Sequence, residues 1–123
     1  MRDHRKLKAF QLADQLVMAI YRETIAFPKS EQFGLTAQMR RAAVSIATNL
    51  VEGSARDSKL EYIRFIEIAY GSACELAYQI TIAHRLGYFE DAAARSMDPQ
   101  SQEVSRVLAG LLKSLRRPPN SGT

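Results

Sequence analysis

The chain has 123 residues, 46% of them hydrophobic and 24% charged, and its 17 basic and 13 acidic residues give a formal net charge of +4. This size favours a single domain over residues 1–123, and no segment approaches the ~20 apolar residues that a membrane span needs. Cys74 is the only cysteine, which excludes an intrachain disulfide, and the first residues lack a secretory apolar core. We therefore expect a cytoplasmic protein without membrane contact.

The first predicted helix follows a short charged segment. Residues 1–6 are mostly charged, so we expect them to be frayed. Apolar residues then recur at three- and four-residue spacing from about Leu7 to Ala26, which predicts an amphipathic helix. Pro28 should end it, because proline disfavours helical geometry in the residue before it.

The second predicted helix, from about Thr36 to Glu52, has two different faces. Its apolar face consists of Leu35, Met39, Ala42, Ala43, Ile46 and Leu50. A polar line follows the same period and consists of Gln38, Arg41, Ser45, Asn49 and Glu52. Gly53 is expected to end the helix in the left-handed conformation, where a Cβ is penalised.

The third predicted helix, from about Lys59 to Leu86, is apolar on more than one side. Ser58 and Glu61 predict a capping box at its start, and Gly87 a cap at its end. Its main stripe is Tyr62, Ile66, Ala69, Ala73, Leu76, Ile80 and Ala83, and Phe65, Ile68 and Ser72 begin a second. Gly71 and Ser72 predict a closely approaching helix, and Cys74 is expected in the core.

The last predicted helix contains a proline. Glu90 to Met97 can form two helical turns, and an apolar stripe follows from Val104 to Leu115. Asp98-Pro99 either starts a separate helix or kinks one long helix, and we prefer the kink. Residues 118–123 have the composition of a disordered tail. Four helices with short connections predict an all-α, up-down-up-down four-helix bundle.

Several motifs of the central helices match the signature of a known family. They read Gln38-Met39-Arg40-Arg41-Ala42-Ala43-Val44-Ser45-Ile46, Asn49-Leu50-Val51-Glu52-Gly53, Phe65-Ile66-Glu67-Ile68-Ala69-Tyr70-Gly71-Ser72, Glu75-Leu76, Gln79 and Leu86-Gly87-Tyr88. In these residues the chain resembles the 23S ribosomal RNA intervening-sequence proteins over roughly residues 8–116. The resemblance implies a bacterial four-helix bundle that assembles into a ring-like homopentamer, with no established catalytic activity. The sequence departs from the family at Asp98-Pro99.

The chain lacks the patterns that are typical of catalytic and metal sites. Di-metal bundles use Glu-x-x-His pairs, whereas the third helix has Arg64, Tyr70 and Tyr78 three residues after its three glutamates. A glycine-rich phosphate loop and a nucleophile elbow are missing as well. We therefore expect no enzyme activity, no metal and no cofactor.

Two arginines and the polar line of the second helix allow two interpretations. Arg40 and Arg41 can meet phosphates, or they can pair with Glu75 or Glu52 across a helix or subunit interface, which we prefer. Ser45 and Asn49 are expected to fix helix register or subunit geometry, as a buried Asn does in a coiled coil. The predicted interface consists of Arg40, Arg41, Ser45, Asn49, Glu52, Gly71, Ser72 and Glu75.

The basic charge is concentrated in the first half of the chain. Residues 1–64 hold 11 basic and 7 acidic residues, whereas residues 65–123 hold 6 of each. The predicted exposed basic patch consists of Arg2, Arg5, Lys6, Lys8, Arg56 and Lys59. One hypothesis is a homo-oligomer that binds RNA or DNA through these residues. The other is a structural scaffold or adaptor that docks a protein partner, with its charge incidental.

Overall fold

A computed structural model describes residues 2–118, which form four α-helices and no strand. The helices are α1 Lys8–Thr24, α2 Leu35–Ser54, α3 Lys59–Arg85 and α4 Asp91–Arg116, and short 3-10 helices at His4–Lys6 and Lys29–Glu31 precede α1 and α2. Each helix packs against the next, and α4 closes back on α1. Because the connections are short, consecutive helices run antiparallel. The prediction of an all-α protein with four helices is confirmed.

The predicted apolar stripes form the core. The buried residues of α3 include its whole main stripe, namely Tyr62, Ile66, Ala69, Ala73, Leu76, Ile80 and Ala83. The apolar face of α2 meets this stripe, with Met39, Ile46 and Leu50 fully buried. Phe27 and Phe89, from two different connections, close one end of the core with ring centroids 4.9 Å apart. None of the helices in residues 2–118 has the length and apolar character needed to cross a membrane.

Pro99 lies inside α4, which runs as one helix from Asp91 to Arg116. The expectation of one long helix is therefore confirmed, whereas a kink at Pro99 stays a prediction. Proline has no N–H, so the carbonyl one turn earlier, on Arg95, loses its helical donor. The ring of Pro99 is exposed, and water on that side can replace the lost donor. The side-chain amide of Gln100 donates to the neighbouring Ser96 carbonyl at 3.3 Å.

Gly53 lies within α2, so the prediction of a left-handed helix end there is wrong. Among the described residues, only Gly87 has a positive φ, of 77°, and it follows the end of α3. A Cβ built on Gly53 would lie 2.7 Å from Phe65 Cβ and 3.4 Å from Tyr62 Cδ1. The absence of a side chain at Gly53 therefore lets α2 approach α3 closely. The glycine serves helix packing and not helix termination.

Substitution of Gly53 tests this packing role. We expect Gly53→Ala to lower the free energy of unfolding by about 1–3 kcal/mol, because an added methyl in a filled contact forces its neighbours to shift. Gly110→Ala is the matched control, since Gly110 is helical and a Cβ there meets nothing within 4 Å. It should raise stability by about 0.5–1 kcal/mol through helix propensity. Urea titrations compare the two, and a gain for both would contradict the packing role.

Smaller differences from the sequence expectations lie at chain ends and caps. His4–Lys6 form a 3-10 helix where a frayed segment was expected, and its cap is Asp3, whose side chain accepts from the Arg5 N–H at 3.0 Å. Ser58 Oγ accepts from the Glu61 N–H at 3.2 Å, which is one half of the predicted capping box. Cys74 is exposed and not in the core. Of the predicted tail, residues 119–123 lie outside the described part of the chain.

Candidate functional site

Three distant parts of the chain meet at one end of the bundle. Arg2 joins two of them, because its Nη1 donates to the Arg56 carbonyl at 2.9 Å and its Cζ lies 4.0 Å from the centroid of the Tyr62 ring. Arg56 lies in the same way over Phe65, with its Cζ 4.8 Å from the centroid of the ring. The antiparallel order of the helices brings the last turn of α4 to this end too. Residues 2–8, 52–64 and 113–117 are called the basic end below.

The basic end carries most of the positive charge of the chain. It holds ten basic and four acidic residues, whereas the rest of the chain holds seven basic and nine acidic. The ten are Arg2, Arg5, Lys6, Lys8, Arg56, Lys59, Arg64, Lys113, Arg116 and Arg117. All six residues of the predicted basic patch therefore lie at this end. The other four were missed. They are Arg64 on α3 and the three from α4 and its C-terminal side, which only the up-down topology brings to residues 2–8.

The charges of the basic end differ in how far they are neutralised. Arg5 Nε lies 3.0 Å from Asp3 Oδ1, and hydrogen bonds from Arg5 hold the pKa of the Asp3 carboxyl below its usual value. Asp3 therefore stays ionised and offsets the charge of Arg5. Lys6, Lys8 and Lys59 are exposed and have no ion-pair partner among residues 2–118. These three ammonium groups are the ones most available to an anionic ligand.

A second surface, here called the polar groove, follows the polar line of α2. One part of it is a cavity of about 540 Å³ lined by Tyr21, Arg40, Arg41, Val44, Ser45, Thr48, Asn49 and Glu52. The other part, of about 240 Å³, lies on the α3 side and is lined by Gln38, Arg41, Ala42, Ser45, Ser72 and Glu75. Arg41 and Ser45 line both parts. Seven of the eight residues of the predicted interface, all except Gly71, therefore line the groove.

Hydrogen bonds connect the two helices within the polar groove. Ser45 Oγ and Ser72 Oγ are 2.8 Å apart across the α2–α3 contact. Asn49 Nδ2 donates to the Ser45 carbonyl at 2.8 Å and to Ser45 Oγ at 3.1 Å. All three side chains are half-buried. Within one chain, the hydrogen bonds of Asn49 therefore reach α3 only through Ser45, which bonds to Ser72.

Within the described part of one chain, Arg40 and Arg41 form no ion pair with Glu52 or Glu75, and a pairing across a subunit interface stays a prediction. Arg40 Nε donates to Thr24 Oγ1 at 2.9 Å, and its Cζ lies 4.6 Å from the centroid of the Tyr21 ring. Arg40 therefore joins α2 to α1 and does not reach Glu52 or Glu75. Arg41 is exposed and has no hydrogen bond or ion pair within the described part of the chain. It remains available to a ligand or a second copy.

Apolar side chains flank the polar groove and face solvent. Val44 and Val51 on α2 are 38% and 37% exposed, and Ile68 and Tyr78 on α3 are 52% and 64% exposed. Gly71 lies between the latter two, and a Cβ there would meet nothing within 4 Å. The close helix approach predicted at Gly71 is therefore not made within the chain. The exposed face of α3 is unpartnered in a single copy.

The described His, Cys, Asp and Glu side chains form no group of three or more that could hold a metal ion. The nearest approach to a polar site of this kind is the pair His84 Nε2 and Asp91 Oδ1, which are 3.0 Å apart. This contact joins the end of α3 to the start of α4. The hydrogen bond from His84 lowers the pKa of the Asp91 carboxyl. Its place at a helix connection indicates a structural contact.

Comparisons with known proteins identify similar chains. The sequence model of a family described as 23S rRNA-intervening sequence protein matches residues 5–110. None of the curated proteins searched matches the chain. A solved structure of a protein with unknown function from the S23 ribosomal protein family, from Bacteroides thetaiotaomicron VPI-5482, is similar with a TM-score of 0.77. The two chains are 21% identical, and the match covers 85% of this chain and 95% of that one.

Proposed function

Because the chain belongs to the 23S rRNA-intervening sequence protein family, we propose that it is a non-enzymatic homo-oligomer that binds RNA or DNA through its basic end. The observation that carries this proposal is the collection of ten basic residues and four acidic ones at one end of the bundle. Lys and Arg side chains that contact phosphates release counterions, which drives binding to nucleic acid without regard to base sequence.

The basic end offers two kinds of phosphate contact. Lys6, Lys8 and Lys59 supply exposed ammonium groups without ion-pair partners in residues 2–118, and they can follow a backbone of variable geometry. Arg2 and Arg56 stack on the rings of Tyr62 and Phe65, which leaves guanidinium N–H groups available for bidentate contacts. Arg5 contributes less, because Asp3 neutralises it.

We propose a homo-oligomer, pentameric as the family resemblance implies, on the ground of the unpartnered faces of α2 and α3. Ile68 and Tyr78 are exposed apolar side chains on the same helix, and apolar surface with polar residues around it marks contact surfaces. Gly71 between them would let a helix of another copy approach closely. Arg41 and Glu75 would then lie at the rim of that contact. Assembly would also repeat the basic end once per subunit and so multiply its charge.

Asn49→Leu tests whether the polar groove controls assembly. The substitution removes both hydrogen bonds to Ser45 and places an apolar group in a polar groove, so we expect helical chains with a changed oligomer distribution. Thr48→Leu is the matched control, because it adds the same side chain at an exposed position of the groove. Size-exclusion chromatography with light scattering measures the distribution. An unchanged assembly state and melting curve for Asn49→Leu would contradict the proposed role.

Photo-cross-linking tests the proposed function and its location together. RNA with 4-thiouridine substitutions should cross-link at low salt to peptides from residues 2–8 and 56–64, as found by mass spectrometry after digestion. The same reaction at high salt is the control, because screening should remove the cross-links. Cross-links confined to the α1–α2 connection, or none at low salt, would contradict binding through the basic end.

The second candidate is an adaptor that docks a protein partner, and one observation favours it. The end opposite the basic end exposes three apolar side chains, Ile25 at 77%, Phe33 at 87% and Leu86 at 56%. They come from the α1–α2 and α3–α4 connections, which contact each other through Phe27 and Phe89. Because its exposed side chains are apolar, this end would bind a protein partner better than a nucleic acid. We place either function in the cytoplasm, which suits the single free thiol of Cys74.

A further inference from the structure

We propose that a cleft of the basic end, between Arg2, Lys6 and Ser54, binds a single phosphate group. The cleft has a volume of about 270 Å³ and is lined by Arg2, Asp3, Lys6, Leu7, Ser54 and Tyr62. It lies where the N-terminal segment crosses the end of α2 and the start of α3. The inference rests on the proposed function for its biological ligand, which would be a phosphate group of RNA or DNA.

The hydroxyl of Ser54 is the first reason for this proposal. Ser54 is only 2% exposed, and its Oγ has no hydrogen-bond partner among residues 2–118. Buried hydroxyls are nearly always paired, because an unpaired one loses its hydration without compensation. A phosphate oxygen in the cleft would accept the missing hydrogen bond. The free protein thus carries a destabilising group that a ligand would satisfy.

The charge around the cleft is the second reason. Arg2 donates one hydrogen bond, from Nη1 to the Arg56 carbonyl, and so keeps further N–H groups for a ligand. Lys6 is exposed and has no ion pair within residues 2–118. Asp3 is the acidic residue of the lining, and Arg5 neutralises it through contacts of 3.0 Å and 3.1 Å. Two cations and one hydroxyl donor therefore line the cleft, against one carboxylate that Arg5 already engages.

The ring beneath Arg2 brings no negative charge to the cleft. Burial raises the pKa of the Tyr62 phenol, so the ring stays neutral at physiological pH. The Ser54 oxygen has less than 1 Å² of accessible area, so a ligand must open the cleft slightly to reach it. Arg2 is the side chain that can give this opening, since one hydrogen bond and one ring contact hold it.

A second cleft with a buried, unpartnered hydroxyl lacks this combination. Thr36 Oγ1 has no partner among the described residues, and Thr36 lines a cavity of about 310 Å³ together with Lys29 and Arg40. Arg40 is already engaged there by Thr24 Oγ1 and the Tyr21 carbonyl. That cavity also lies at the opposite end of the bundle from the excess of basic residues. Within residues 2–118, only the Ser54 cleft combines an unpartnered hydroxyl with free cations at the basic end.

Thermal unfolding with inorganic phosphate tests the cleft directly. At a phosphate concentration about ten times the dissociation constant, the wild-type midpoint should rise by about 4–7 °C relative to chloride of equal ionic strength. Ser54→Ala and Lys6→Gln should lose most of this shift. Lys8→Gln removes the same charge from the same end outside the cleft and should keep it, as should Arg85→Gln at the opposite end.

Two results of this experiment would overturn the proposal. One is the absence of a phosphate shift in the wild-type protein. The other is a Lys8→Gln variant that loses the shift as fully as Lys6→Gln, because the effect would then be a general response to charge. Ser54→Ala should not lower the midpoint without phosphate, since it removes an unpartnered hydroxyl. This control separates a lost ligand contact from a damaged fold.

Fluorescence anisotropy with single-stranded RNA identifies the source of the phosphate. If a terminal phosphate occupies the cleft, Ser54→Ala should weaken binding of 5′-phosphorylated RNA by about fivefold to tenfold and leave 5′-hydroxyl RNA unchanged. If an internal phosphodiester does, both RNAs weaken equally and the salt slope stays constant. A phosphate shift in a protein that binds neither RNA nor DNA would refute the proposed function and leave free phosphate as the ligand. RNA binding without any phosphate shift would refute the cleft and leave the function standing.

Discussion

Replacing Ile68 and Tyr78 together by glutamate should convert the protein to monomers. Both side chains are more than half exposed on α3, ten residues apart on the face that contains Gly71. If this face is covered in the assembly, each new carboxylate would be buried without a partner, which costs several kcal/mol per charge. The mass measured by light scattering should then fall from about five times to one times the chain mass of 13.8 kDa.

Met18→Glu is the matched control for that experiment. Met18 is 53% exposed, close to the value for Ile68, but it lies on α1 away from the exposed face of α3. The control should keep the wild-type mass, and circular dichroism should show unchanged helix content in all variants. A wild-type protein that is a monomer at micromolar concentration would contradict the proposed assembly. A mass that falls equally in the control would show that α3 is not the interface.

Replacing Arg56 and Lys59 together by glutamine should weaken nucleic-acid binding strongly. For single strands, each lost phosphate contact reduces the salt slope by about 0.7, so two contacts correspond to about 25-fold in affinity at 0.1 M salt. The loss should multiply with every subunit that touches the same strand. Both residues are exposed beside the α2–α3 connection, and the Arg56 carbonyl that holds Arg2 is unaffected. The fold should therefore survive.

The matched control for this variant is Arg22→Gln with Arg85→Gln. Both residues are exposed, and they lie in the last turns of α1 and α3, at the end opposite the basic end. The control removes the same formal charge, so it separates phosphate contacts from net charge. Equal losses in the two double variants would mean that the basic end has no special role. No change in either would mean that Arg56 and Lys59 do not touch the strand.

The four helices can be predicted from the sequence because the residues of each buried helix face recur at short, regular spacing. The seven residues of the main α3 stripe recur at helical spacing, and all seven are buried. Sequence spacing predicts such faces directly, since side chains three and four residues apart share a side of the helix. The single helix through Pro99 was also predictable, because apolar spacing resumes after the proline.

The failures concern contacts between distant residues. A glycine after a helical pattern commonly ends the helix, but Gly53 is needed where Phe65 packs against it, and no spacing rule shows that pair. For Arg40 the sequence suggested phosphates or a glutamate as partners and did not indicate Thr24, which lies 16 residues earlier on α1. The Ser54 hydroxyl was not identified, because its burial depends on the N-terminal segment that was expected to be frayed. Contacts of this kind can be identified only when the three-dimensional arrangement of the helices is known.

The proposed function requires that the basic end binds nucleic acid through phosphate contacts. Fluorescence anisotropy with labelled single-stranded RNA and DNA, from about 50 mM to about 200 mM salt, tests it most directly. Affinities for different base sequences should be similar. The logarithm of the binding constant should fall linearly with the logarithm of salt concentration, with a slope of about −0.7 per contact. No binding of either nucleic acid at the lowest salt, or binding that salt does not weaken, would contradict the claim and favour the protein-docking adaptor.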